Sequence, residues 1–127
     1  MKSALEIAQW LIGEGRLSGD GVALVEGFAL HLREAGVPLW RLRINHQIAN
    51  PLVAAWSVAW TSTETRDFSV PRSVLATTAW IGSPFQFVVQ NRSSFRRRLV
   101  DLDRDRDHEV LFEIAQAGGT DFFAMAL

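Results

Sequence analysis

Histidines, an arginine run and a string of aspartates are the residues of this chain best suited to chemistry. His31, His46 and His108 lie far apart, with no His-Glu-x-x-His pattern to set two imidazoles and a base on one helix face. His46 falls in an alternating run that puts it on a face with Trp40, Leu42 and Ile44. An imidazole among such neighbours needs a hydrogen-bond partner or a ligand, and axial coordination of haem is one contact the pattern permits without specifying. A rim or core histidine with satisfied hydrogen bonds is the plainer reading, and His31 and His108 read as helix-surface residues. Asp101, Asp103, Asp105 and Asp107 are interspersed with Arg104 and Arg106 and lack the central glycine and terminal glutamate of a calcium loop. A self-neutralising solvated connection is expected there. It offers no pair of carboxylates in the apolar setting that acid–base catalysis requires. Ser57, Ser69, Ser73, Ser83, Ser93 and Ser94 lack a nucleophile elbow.

Two groups remain as binding candidates. The segment Phe95–Leu99 (FRRRL) places Arg96, Arg97 and Arg98 in a row, and guanidiniums so grouped can grip a carboxylate, a phosphate or an acidic partner surface. The aspartates that follow offset this charge, so exposed or interdomain salt bridges are its plainer role. The second group lies on the first two expected strands. His46, Trp56 and Trp60 would line a small-ligand pocket, with Arg41 and Arg43 available from the opposite sheet face. The glycine-rich stretch GEGRLSGDG follows a helix, lacks lysine and has no GxGxxG spacing. It reads as an interhelical loop, not a phosphate cradle.

The elements that position these residues follow from periodicity. Residues 4–12 form a short helix with Leu5, Ala8, Leu11 and Ile12 on one face, which Gly13 and Gly15 should end. After the SGDG turn, Asp20 caps a second helix running to about Ala35, where Gly36 stops it. Residues 39–48 alternate strictly and predict a strand; Asn50 and Pro51 turn the chain into a second strand over Val53–Thr61, antiparallel to the first. A short edge strand is expected at Phe68–Pro71. Ser83 caps a helix over Pro84–Gln90, with Pro84 at its first position. Phe95–Leu102 reads as strand or extended connector. Asp105 or Asp107 starts a last helix, and Gly118 and Gly119 turn it into the terminal FFAMAL strand. The expected core comprises Phe28, Trp40, Leu42, Ile44, Trp56, Val58, Leu111, Ile114 and Phe123. The fold class is α/β: a single mixed domain with a central antiparallel sheet and flanking helices.

Composition bounds the function. With 127 residues, 48% of them hydrophobic, and no cysteine, the chain can build a core but no disulfide scaffold, thiolate site or iron–sulfur cluster. A reducing cytoplasm suits it. A formal charge of -1 provides no polyanion-binding field, and five tryptophans and eight phenylalanines without a tyrosine favour packing over base stacking. No nucleic-acid or membrane partner is expected, nor any metal site. The terminal apolar run calls for a further element to pair with or pack against, so the chain reads as one module of a longer protein or a domain completed by a partner.

The ordered segments LIGEGRLSGDGVALVEGFALHLREAGVPLWRLRI, Asn50-Pro51, AWIGSPFQFVVQNRSSFRRRL and EIAQAGGTDFFAMAL resemble the amino-terminal regulatory region that precedes the catalytic domain in a group of bacterial class III adenylate/guanylate cyclases. The resemblance spans residues 9–127. It implies a GAF-like sensory or regulatory module coupled to a downstream cyclase domain, itself without catalytic residues. Where that family often has His-Pro after its first strand this chain has Asn50-Pro51, which removes an imidazole from the turn; Phe122 keeps the aromatic after Thr120-Asp121. The metal-binding aspartates of the cyclase domain have no counterpart here. The alternatives are a stand-alone small-ligand-binding or protein-interaction domain, and an enzyme whose active site another chain completes. No cofactor is specified: haem, a cyclic nucleotide and no ligand at all stay open. Leu5 and Leu11, with Arg96, Arg97 and Arg98, are the expected partner-facing residues, toward a downstream domain or a second copy in a homodimer.

Overall fold

A computed structural model describes residues 2–17 and 19–126. Ser18 of the expected SGDG turn and Leu127 of the terminal run lie outside them. The chain forms two compact units, Met1–Pro71 and Arg72–Leu127. The class is mixed α/β as expected, but the antiparallel strands form two separate sheets, one of three strands and one of two.

In the first unit, α1 (Ala4–Trp10) starts at Ser3, whose hydroxyl accepts from the Glu6 N–H. The glycines do not end it. Backbone helicity continues through a π-helical turn, Leu11–Gly15, and on to Leu17. Trp10 supplies the reason. A Cβ on Gly15 would lie 2.9 Å from its ring, and one on Gly27 of the next helix 2.5 Å. The two glycines are the seats on which the indole rests, with its ring centroid 4.4 Å from that of His31. This contact sets the rotation of α1, so that Ile7, one turn before Trp10, is buried. The expected stripe is therefore not a packed face: Leu5 and Ile12 are 67% and 71% exposed, and Leu11 is half-buried.

The second helix, α2 (Gly21–Glu34), begins at Asp20, whose carboxylate accepts from the Val22 N–H at 2.9 Å. Its end is marked by Gly36 at φ +92°, a left-handed conformation that a glycine adopts without strain. Lys2 holds that end by bonding Glu34 at 3.0 Å and His31 at 2.5 Å, and the Glu34 carboxyl is lowered below its usual range chiefly by the Lys2 hydrogen bond.

Strands β1 (Arg41–Gln47), β2 (Val53–Thr61) and β3 (Thr65–Pro71) form an antiparallel meander with β2 in the centre. Asn50 builds the first connection, its side-chain oxygen accepting from the Leu52 and Val53 N–H groups. The third strand starts earlier than Phe68 because Thr61 closes a tight hairpin, its N–H bonding the Glu64 carbonyl at 2.9 Å. One sheet face packs on α2: Val25, Ala29, Val58 and Trp60 are buried together, with Leu42 and Ile44 against them. Trp40 and Trp56 were expected in this core and are not in it. They are 39% and 45% exposed, while Trp60 is 3% exposed. Trp56 and Trp60 both sit on the α2-facing side by alternation, but the helix covers the Val58–Trp60 end and not the end where Trp56 stands; Trp40 precedes β1, with the Arg41 guanidinium against its ring.

In the second unit a 3-10 turn (Arg72–Ala76) leads to α3 (Pro84–Asn91), β4 (Phe95–Arg98), α4 (Glu109–Gln116) and β5 (Asp121–Ala124). Ser83 caps α3 by accepting from the Gln86 N–H, with Pro84 at the first position as expected. The last helix starts at neither Asp105 nor Asp107; its cap is His108. The terminal strand pairs antiparallel with β4. Phe122 meets Phe85 and Phe95 edge-on at 6.1 and 6.0 Å, whereas Phe123, one residue on and so on the other side of the strand, is 60% exposed and is not core.

Two stability outcomes follow. Trp60→Ala should cost about 3–5 kcal/mol and Trp56→Ala less than about 1 kcal/mol in denaturant unfolding, and a Trp56 loss equal to that of Trp60 would contradict the assigned core. Gly27→Ala, which in an unencumbered helix stabilises, should here destabilise by about 1–3 kcal/mol. A Trp10→Leu background should remove most of that loss, and additivity of the two changes would rule out the indole seat.

Candidate functional site

The structure divides the sequence-nominated residues among several places. On the sheet, His46 and Trp56 are direct cross-strand partners, close enough for their side chains to meet, and both are exposed. Trp60 does not join them. It is buried beneath α2, and its accessible edge borders a separate depression of ≈ 130 Å³ shared with Glu26, Leu30, Arg33 and the Thr61–Thr65 hairpin. The expected pocket of His46, Trp56 and Trp60 is thus two surfaces. Arg41 and Arg43 belong to the opposite face, as alternation requires; the Arg41 guanidinium lies 4.2 Å from the Trp40 ring.

The three arginines of β4 also separate. Arg96 and Arg98 share one side of the strand, next to Asp121 of β5. Arg96 bonds Asp121 at 2.8 Å, and this hydrogen bond is the main reason the Asp121 carboxyl lies below its usual range. Arg97 turns the other way and is held internally. Its Nε and Nη2 donate to the two oxygens of Asp107 at 2.9 and 3.0 Å, while Nη1 reaches the Arg98 carbonyl at 2.9 Å. Asp107 in turn accepts from the Asp103 N–H at 2.8 Å. Its carboxyl is lowered to about 2, first by Arg97 and then by that backbone bond. The aspartate string is therefore an ordered loop built around one guanidinium, where sequence spacing suggested only a solvated connection.

His108 has a structural task that its position in the sequence did not show. Its Nδ1 accepts from the Val110 N–H at 3.1 Å, so Nε2 carries the proton and donates to the Thr78 carbonyl at 2.6 Å. The ring thereby caps α4 and ties it to the segment before α3. Beside it is a cavity of ≈ 230 Å³ lined by apolar Phe87, Phe95 and Leu111 and by polar Arg96, Asp107 and His108. The sequence names both residues but not their contacts: Asp107 reads as part of a solvated string or a helix start and His108 as a helix-surface residue, because the Arg97–Asp107 bond needs the loop to fold back and the His108–Thr78 bond joins residues 30 apart.

Among the described residues no three histidine, aspartate or glutamate side chains converge as metal ligands would, and no helix is long and apolar enough to cross a membrane. Comparison with models of protein families, with curated proteins and with solved structures gives no match. What the geometry presents is guanidiniums and exposed aromatic rings on paired strands.

The Arg97–Asp107 pair makes a pH prediction. A carboxyl held at about 2 in the folded protein, against 3.8 ordinarily, contributes stability that is fully present above pH 3.8 and is lost as pH falls through about 2. Asp107→Asn keeps an acceptor for the Asp103 N–H and removes the charge. Its stability deficit in urea unfolding should be constant from pH 7 to about pH 5 and shrink toward zero between about pH 4 and pH 2. A deficit that does not change with pH would exclude an ionic role for the pair.

Proposed function

We propose that the chain is a non-catalytic, cytoplasmic regulatory module with a GAF-like role, coupled to a class III nucleotide cyclase domain. One observation carries this reading: the segments that bear the resemblance supply the residues that organise the fold. Asp20 caps α2, Ser83 and Pro84 start α3, Arg97 gathers the loop before α4, and Phe122 joins the aromatic cluster. Segments given over to capping and packing build a scaffold and leave its surfaces available, as suits a module whose task is to sense or dock. A second reading, a stand-alone small-ligand-binding domain, draws its support from the exposed His46–Trp56 pair and the arginines of the other sheet face.

The test is to follow the encoded polypeptide past Leu127 and to assay cyclic nucleotide formation from ATP and GTP. Residues 1–127 alone should form none, and their removal from the longer chain should change the turnover of the remainder. Cyclic nucleotide made by residues 1–127 would overturn the regulatory reading. If no class III domain follows, the stand-alone binding domain takes its place.

A further inference from the structure

The cavity of the second unit is walled in part by polar groups whose hydrogen bonds are already made within the protein. Arg97 and Asp107 hold each other through two bonds at 2.9 and 3.0 Å, and Asp107 takes the Asp103 N–H besides. Both ring nitrogens of His108 are engaged, one by the Val110 N–H and the other by the Thr78 carbonyl. Arg96 is turned to Asp121 at 2.8 Å. Two helices start beside the cavity, but Ser83 Oγ accepts from the Gln86 N–H as His108 does from that of Val110, so these helix starts do not present those donors to a ligand.

What is left is a hydrocarbon surface with one cation. Leu111, 1% exposed, lies at the bottom, and the rings of Phe87 and Phe95 stand edge-on with centroids 6.0 Å apart. Phe87 is 44% exposed, apolar surface that a ligand in the cavity would withdraw from water. Arg106 also lines the cavity. Its side chain is 86% exposed, which places it at the rim, and its carboxylate neighbour Asp103 is 3.8 Å away and 50% exposed, a pairing worth little in water. The volume of ≈ 230 Å³ sets the size of a ligand. An engineered apolar cavity of about 150 Å³ holds one benzene molecule, so the space here suits a ring with a short arm or a chain of similar bulk.

We propose that this cavity binds a small carboxylic acid with a hydrocarbon body, the body lying against Phe87, Phe95 and Leu111 and the carboxylate on the Arg106 guanidinium. A carboxylate accepts two parallel N–H bonds from a single guanidinium, which matches a site with one available cation. A phosphate ester is the poorer fit. Its second charge would call for a second cation, whereas Arg96 and Arg97 are already paired, and the capped helix starts withhold the backbone donors that phosphate sites use. Such binding would hold whether or not a cyclase domain follows.

The experiment titrates the isotopically labelled full chain, at constant pH and ionic strength, with phenylacetate, hexanoate, the amide of each, and acetate, while the Leu111 methyl and Phe87 ring signals are followed by NMR. Saturable shifts are expected with one or both of the larger acids, and the tighter of the two tells whether the body is a ring or a chain. Its amide keeps the body and drops the charge, and should bind about fivefold or more weakly; acetate should not saturate over the same range. Arg106→Gln should weaken the acid by a similar factor and leave the amide unchanged, whereas Arg104→Gln, which removes the same charge from outside the lining, should bind as wild type. Phe87→Ala should weaken acid and amide alike by about fivefold. Arg106 is at the surface, so its variant should keep the wild-type circular dichroism spectrum even if Phe87→Ala loosens the aromatic cluster. Shifts that rise linearly without saturation for both larger acids, equal affinity for acid and amide, or unchanged acid binding in Arg106→Gln would overturn the site.

Discussion

The first unit depends on the burial of one sheet face by one helix. A three-stranded antiparallel sheet has little stability in water until one side is covered, and here Val25 and Ala29 of α2 supply the cover for Val58 and Trp60. Ala29 is wholly inaccessible, which is what close approach of the helix backbone to the strands requires. Everything presented by this unit follows from that one-sidedness. The covered face fixes the register, since a one-residue slip would move Val58 and Trp60 into water. The uncovered face is then free to carry arginines, an asparagine and a buried serine without damage to the core.

The Trp10 contact shows a second kind of constraint. Helix propensity alone disfavours Gly13, Gly15 and Gly27, yet the helices persist through all three. At two of these positions the missing side chain is replaced by an indole, so the propensity lost locally is offset by burial of a large aromatic surface. The π-helical turn after Trp10 fits this account, because it brings Gly15 under the ring that precedes it.

What could be read from the sequence was what is determined locally. The alternation of residues 40–48 gave β1, Asp20 and Gly36 bounded α2, and Ser83 with Pro84 started α3, because caps and period-2 patterns act within a few residues. What depended on the placement of a distant element could not be read. Trp56 and Trp60 are indistinguishable by pattern, and only the landing point of α2 separates a buried tryptophan from an exposed one. The same holds for Arg97. Flanked by two other arginines, it looks like part of a cationic patch, and only the return of the chain to Asp107 makes it the centre of a loop. Arg41 and Arg43 could be assigned to the face opposite His46 by alternation alone; Arg66 could not be placed beside them because β3 was expected to start only at Phe68.

These constraints divide the charged groups into two populations. Arg97, Asp107, Lys2 and Glu34 are joined in bonds of 2.8–3.0 Å or anchored to backbone, and they hold connections in place. Arg41, Arg43 and Arg66 instead lie against aromatic rings. Stacking orients a guanidinium through its flat face and leaves its edge N–H donors directed outward, whereas a bidentate carboxylate occupies those donors. A guanidinium of the first population must break a short ion pair to accept a ligand; in the second, Arg43 already donates its Nε to Asn45 at 2.9 Å and Arg66 has Glu64 at 3.9 Å. The arginine run of β4, the more conspicuous feature in the sequence, is therefore committed to structure at two of its three positions, Arg96 to Asp121 and Arg97 to Asp107.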